Sequence, residues 1–206
     1  MGPATHRREI IRIGALLYER RYVVAAEGNL SVRLGGDRFL VTPSGACKGW
    51  LEMGELLEIK GDGHTFAKDR RSSSEWLLHR EIYESLPEVG AICHAHPPFA
   101  TACAVAGNAL DASILTETAA TIGTVPVARP SVPGTAEVAA SVRELLPGPR
   151  ALLLANHGVV TWGENLREAY FRLETVERLA EVTLLAGLAG GARTLPPELL
   201  RQIGGA

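Results

Sequence analysis

Short apolar runs with strand character alternate with helical stripes along the chain, and that interleaving most restricts the folds open to it. Strand-like runs occupy residues 29–34, 38–42, 56–60, 89–96, 125–129, 151–156 and 159–162. Between them lie segments with helical periodicity. Residues 7–20 carry Ile10, Ile11, Ile13, Leu16 and Leu17 on one stripe, and residues 164–188 carry Leu166, Tyr170, Leu173, Val176 and Ala180. Three shorter helices are expected at 72–86, ended by Pro87, at 99–106, opened by Pro97-Pro98, and at 135–146, with Thr135 as its cap. Alternation of this kind predicts an α/β fold, a central sheet covered by helices on both faces. Gly35-Gly36-Asp37 joins the first two runs as a hairpin signal, so the sheet is expected to be at least partly antiparallel.

A chain of 206 residues has room for a single domain, residues 1–206, with a substantial core. The net charge of -2 gives no global field favouring nucleic acid or a membrane surface. Residues 1–10 lack the apolar core of a signal peptide, and no apolar run approaches a membrane span. Cys47, Cys93 and Cys103 include no CxxC pair, which fits a reducing cytoplasm.

His94-Ala95-His96 is the sharpest chemical signal. On a strand, residues i and i+2 share a face, so two imidazoles project together where Pro97-Pro98 stop the sheet. Such a pair is either a metal site or two partly exposed histidines without a ligand. Cys93 points to the opposite face and reads as core. His157, at the end of an apolar strand and before Gly158, is placed to face a cleft and takes its weight from the other two histidines.

Ser72 and Glu75 have the spacing of a helix capping box. The functional reading of the same segment is a phosphate site at a helix start, with Glu75 beside it as metal ligand or general base. His79, one turn on, is expected to pack or to support the site. Residues 27–31 (Glu-Gly-Asn-Leu-Ser) and 42–45 (Thr-Pro-Ser-Gly) could be plain turns, or could supply hydroxyls, an amide and backbone N–H groups to an anion.

Taken together, Gly28-Asn29-Leu30-Ser31, Thr42-Pro43-Ser44-Gly45, Ser73-Ser74-Glu75, His94-Ala95-His96 and His157-Gly158 resemble the class II aldolase/adducin family, most of all its fuculose-1-phosphate aldolase branch. The resemblance implies a three-layer α/β/α fold around a largely antiparallel sheet, assembled as a homotetramer. It implies a divalent metal, zinc or alternatively Mn2+ or Co2+, held by Glu75, His94, His96 and His157, with Glu75 also the catalytic acid/base. It sets the phosphate of a small phosphorylated sugar against Gly28, Asn29, Ser44, Gly45, Ser73 and Ser74. The activity it implies is cleavage of a ketose 1-phosphate to dihydroxyacetone phosphate and an aldehyde.

Decarboxylation of a phosphorylated keto sugar acid and dehydration of a sugar phosphate are the alternatives within the family, and a non-catalytic adducin-like module is the alternative outside enzymology. Three lysines (Lys48, Lys60, Lys68), none in an apolar run beside the motifs, speak against a Schiff-base route. The family's aldolases use a tyrosine near the position of Leu115, and carry an aromatic C-terminal tail that residues 202–206 lack. If 115–118 is extended, Glu117 shares a face with Leu115 and could stand in for that tyrosine.

Overall fold

The computed structural model describes residues 2–67 and 70–204; Lys68 and the last two tail residues, Gly205 and Ala206, lie outside the described residues. Seven strands form one sheet: β1 (Asn29–Gly35), β2 (Arg38–Val41), β3 (Leu57–Lys60), β4 (Ala91–Ala95), β5 (Val127–Ala128), β6 (Ala151–Leu154) and β7 (Gly158–Gly163). Their order is β3-β2-β1-β4-β7-β6-β5, and only β5 and β6 pair in parallel. The seven helices described are α1 (Pro3–Glu19), α2 (Trp76–Ser85), α3 (Pro98–Ala106), α4 (Thr116–Thr121), α5 (Ala136–Arg143), α6 (Leu166–Leu188) and α7 (Pro197–Gly204).

Side-chain alternation along the strands divides the interior into two cores, and so makes three layers. Ala91, Cys93 and Ala95 of β4 pack with Ile10, Ile13 and Leu17 of α1, Ala100, Cys103 and Ala104 of α3, and Leu173 and Val176 of α6. Ile92 of β4 faces the other way, with Val160 and Trp162 of β7, against Trp76, Leu78 and Ile82 of α2 and Val138 and Val142 of α5. Cys93 is buried on the first face as expected, which puts His94 under α2 on the second.

Local chemistry moves several expected boundaries. The helix expected over 72–86 starts only at Trp76, because Ser72 is bridged to Pro43 at the sheet edge. No capping box forms: Glu75 makes no side-chain cap, and its own N–H donates to Ser73 Oγ at 3.2 Å. Thr135 holds the N-cap position of α5, but its hydroxyl turns back to Val132 O at 2.7 Å. Residues 116–121 are helical with Leu115 as N-cap, so residues 115–118 are not the extended segment expected.

Candidate metal centre

The centre is built where three elements end. Central strand β4 lies between β1 and β7, with His94 opposite Asn29 on one side and Val160 on the other. His94 is fully buried, and its Nδ1 lies 2.8 Å from Val159 O. Donation to that carbonyl fixes the tautomer and turns the Nε2 lone pair toward the cluster. His96 follows the last residue of β4, with its backbone N–H held by Tyr22 O at 2.8 Å. His157 sits in the three-residue connection between β6 and β7, where Asn156 takes a left-handed φ of 57°. Gly158 is a close approach: a Cβ there would meet His96 Cδ2 at 2.5 Å and Ala95 O at 2.6 Å.

The three imidazoles converge. His94 Nε2 and His96 Nε2 are 3.2 Å apart, and one ring nitrogen from each histidine falls within 4.8 Å of the others. Glu75, presented by the turn ahead of α2, reaches both His94 Nε2 (Oε2, 3.3 Å) and His157 Nε2 (Oε1, 3.1 Å). Ligands at about 2.0–2.1 Å on a tetrahedral centre are separated by roughly 3.3 Å, close to the His94–His96, His94–Glu75 and His157–Glu75 separations, so these contacts have the scale of a divalent-metal site. Three imidazoles and one carboxylate are also common ligands of divalent metals.

Charge and burial tune each member. Burial pushes the Glu75 carboxyl up, but the charges and hydrogen bonds of His94 and His157 outweigh it and hold the group far below the usual carboxylate range. Burial pushes His94 down, but Glu75 and Val159 O reverse this and its net shift is upward. Burial and the neighbouring His94 and His157 lower His96 to about 4. Neutral imidazole is the ligating form.

Residues expected to bind phosphate fall into two groups, one of which meets this cluster. Asn29 Nδ2 donates to Glu75 Oε2 at 2.7 Å and to Ser73 Oγ at 3.3 Å, so these residues meet. Gly28 turns into β1 with φ 68°, and a Cβ there would strike His94 O at 2.7 Å. Ser74 is exposed next to Ser73. Ser44 and Gly45 lie in the neighbouring turn and are exposed, but the Ser44 N–H is already given to Arg71 O at 3.0 Å. That leaves the Ser44 hydroxyl and the Gly45 backbone facing a shallow cavity that Arg70 and Arg71 also line.

Sequence patterns missed three residues here. Glu27 Oε2 lies 3.2 Å from His96 Nδ1, a contact that orients the ring. Lys48 is buried close enough to feel the charge of Glu75, and its rarity as a lysine was the only signal. Arg71 pairs its backbone with Ser44. His79 is buried, with Nδ1 2.7 Å from Ser31 Oγ, in the supporting position expected. Glu117 is exposed on the first turn of α4 and accepts from the Thr116 hydroxyl at 2.8 Å; the shared face with Leu115 on which its stand-in role depended does not exist.

Residues 8–184 match the class II aldolase and adducin N-terminal domain. A 3-oxo-tetronate 4-phosphate decarboxylase from Escherichia coli strain K12 is 33% identical over 186 residues, covering 88% of this chain and 87% of that protein. A methylthioribulose-1-phosphate dehydratase from Acidiphilium cryptum is 32% identical over 186 residues, covering 85% and 88%. Among solved structures, an L-fuculose 1-phosphate aldolase superposes with a TM-score of 0.91 at 30% identity, over 100% of this chain and 97% of that one.

Proposed function

This chain belongs to the class II aldolase and adducin family, and we propose that it is a divalent-metal carbon–carbon lyase that decarboxylates a phosphorylated 3-oxo sugar acid. The observation that carries the reading is the convergence of Glu75 on both His94 and His157, with His96 alongside. Aldol cleavage, the activity expected first from sequence, becomes the second reading. The E. coli relative's name supports decarboxylation, and so does the chemistry. Aldol addition needs an acid at the aldehyde oxygen, a role for which Glu117 has lost its argument; decarboxylation releases carbon dioxide and needs none.

Glu75, His94, His96 and His157 would hold a divalent ion, zinc or alternatively Mn2+ or Co2+, which would supply Lewis acidity toward the substrate ketone oxygen, where negative charge develops. The remaining work falls to the protein. Asn29, Gly28, Ser73, Ser74, Ser44 and Gly45 hold the phosphate and so fix the substrate's reach. The bond between the carboxylate carbon and its neighbour breaks, carbon dioxide leaves, and the electron pair stays on the substrate. Glu75, once drawn out of the His94 and His157 contacts that depress its pKa, would relay a proton from solvent to that carbon. The active assembly in this reading is a cytoplasmic homotetramer. A purely structural, adducin-like role would have no use for three convergent imidazoles.

Paired assays test this. Zinc-loaded protein given a 3-oxo sugar acid 4-phosphate should release one carbon dioxide per substrate and leave a ketose phosphate. Turnover confined to a ketose 1-phosphate, with aldehyde as product, would replace the reading with the aldolase one.

A further inference from the structure

Lys48 is the bulkiest of the fully buried side chains, at 1% exposure, in a fold whose other lysine in the described residues lies at the sheet edge. Its ammonium donates to two carbonyls, Ala26 O at 2.8 Å and Ala46 O at 2.6 Å. These belong to two different turns. Residues 24–27 lead into Gly28 and Asn29, and carry Glu27, the partner of His96. Residues 43–47 carry Ser44 and Gly45.

The first turn is weakly held by itself, whereas the second is tied to Arg71 through the Ser44 N–H and bridged to Ser72 at Pro43. Residues 24–27 are all exposed, Ala25 holds a left-handed φ of 51°, and the turn's internal hydrogen bonds join only Val24 and Glu27. Among the described residues, the Lys48 ammonium makes the only hydrogen bonds that join 24–27 to 43–47. The lysine backbone, by contrast, is fixed: it starts a 3₁₀ turn packed on α1, where Gly14 comes so close that a Cβ would meet Lys48 O at 2.5 Å. Burying an ammonium is unfavourable unless it is paired, and both carbonyls and the nearby Glu75 charge offset that cost.

We propose that Lys48 is a positioning residue whose buried ammonium clamps the 24–28 turn to the 43–47 turn and so sets the spacing of the two halves of the phosphate site. It touches neither substrate nor metal. The proposal rests on the phosphate assignment given above.

The test is calorimetric titration of zinc-loaded protein with inorganic phosphate, alongside zinc content, for wild type and Lys48→Met. Methionine keeps the length and apolar packing but cannot donate. The expected result is phosphate binding weakened roughly tenfold or more with zinc stoichiometry unchanged. If Lys48→Met does not fold, Lys48→Gln, which keeps one donor, should show the same selective loss at smaller size. Equal phosphate affinity in a folded variant overturns the proposal, as does a parallel loss of zinc and phosphate, which would mark a merely structural lysine. Wild-type protein that binds zinc but ignores phosphate removes the phosphate assignment and this proposal with it.

Discussion

Adding one methyl group at Gly158 should disable the metal centre without unfolding the protein. An alanine Cβ there would lie 2.5 Å from His96 Cδ2 and 2.6 Å from Ala95 O. Carbon atoms pack at roughly 3.5–4.0 Å, so the imidazole must withdraw by about 1 Å. The carbonyl of Ala95 cannot move as easily, because β4 is paired on both sides. Overpacking of this kind typically costs about 1–3 kcal/mol, and Gly158 has no positive φ to add strain. A 1 Å displacement of a group that must be aligned costs roughly 10²-fold in turnover. Zinc affinity, measured by competition with a chromophoric chelator, should fall together with activity while far-ultraviolet circular dichroism is retained. Gly54→Ala, with nothing within 4 Å of the added carbon, is the matched control and should be silent. Wild-type zinc affinity in a folded Gly158→Ala protein would refute the ligand role of His96.

Glu75→Gln should lower turnover by roughly 10²–10⁴ with zinc content measured alongside; near-normal turnover in the fully metallated variant would reduce Glu75 to a structural residue. Ser73→Ala and Asn29→Ala should weaken phosphate binding more than zinc binding, each lost hydrogen bond to a charged group being worth about 1.5–3 kcal/mol, and equal activity on unphosphorylated substrate would contradict the assignment. Burial lowers His79 to about 3 from an ordinary 6.5. Its unfolded form therefore takes up a proton first, so the neutral histidine's contribution is complete above pH 6.5 and is lost as pH falls toward 3. The loss is on the order of a few kcal/mol. In urea titrations of metal-free protein, wild type should lose more stability between pH 7 and pH 4 than His79→Gln, and equal losses would refute this.

The layers and most strands were legible because short apolar runs report burial, and β4 and β7 are buried along their whole length. His94, His96 and His157 were legible for a related reason: each lies at or beside a strand end, and a polar side chain next to an apolar run needs a partner. The capping box at Ser72–Glu75 misled because Ser72 is engaged by Pro43, far away in sequence, which no local pattern reports. Helix α4 escaped because six residues with three threonines show neither periodicity nor propensity. Lys48, Glu27 and the pairing of Ser44 with Arg71 are tertiary contacts. Their residues look like ordinary turn and surface positions until the chain closes on itself.

The most direct measurement strips the protein of metal and titrates zinc back while following carbon dioxide release from a 3-oxo sugar acid 4-phosphate. Activity should rise linearly to one zinc per chain and then stop, and His96→Ala should stay inactive throughout. Undiminished carbon dioxide release by the metal-free protein, or none at one zinc per chain, would contradict the account.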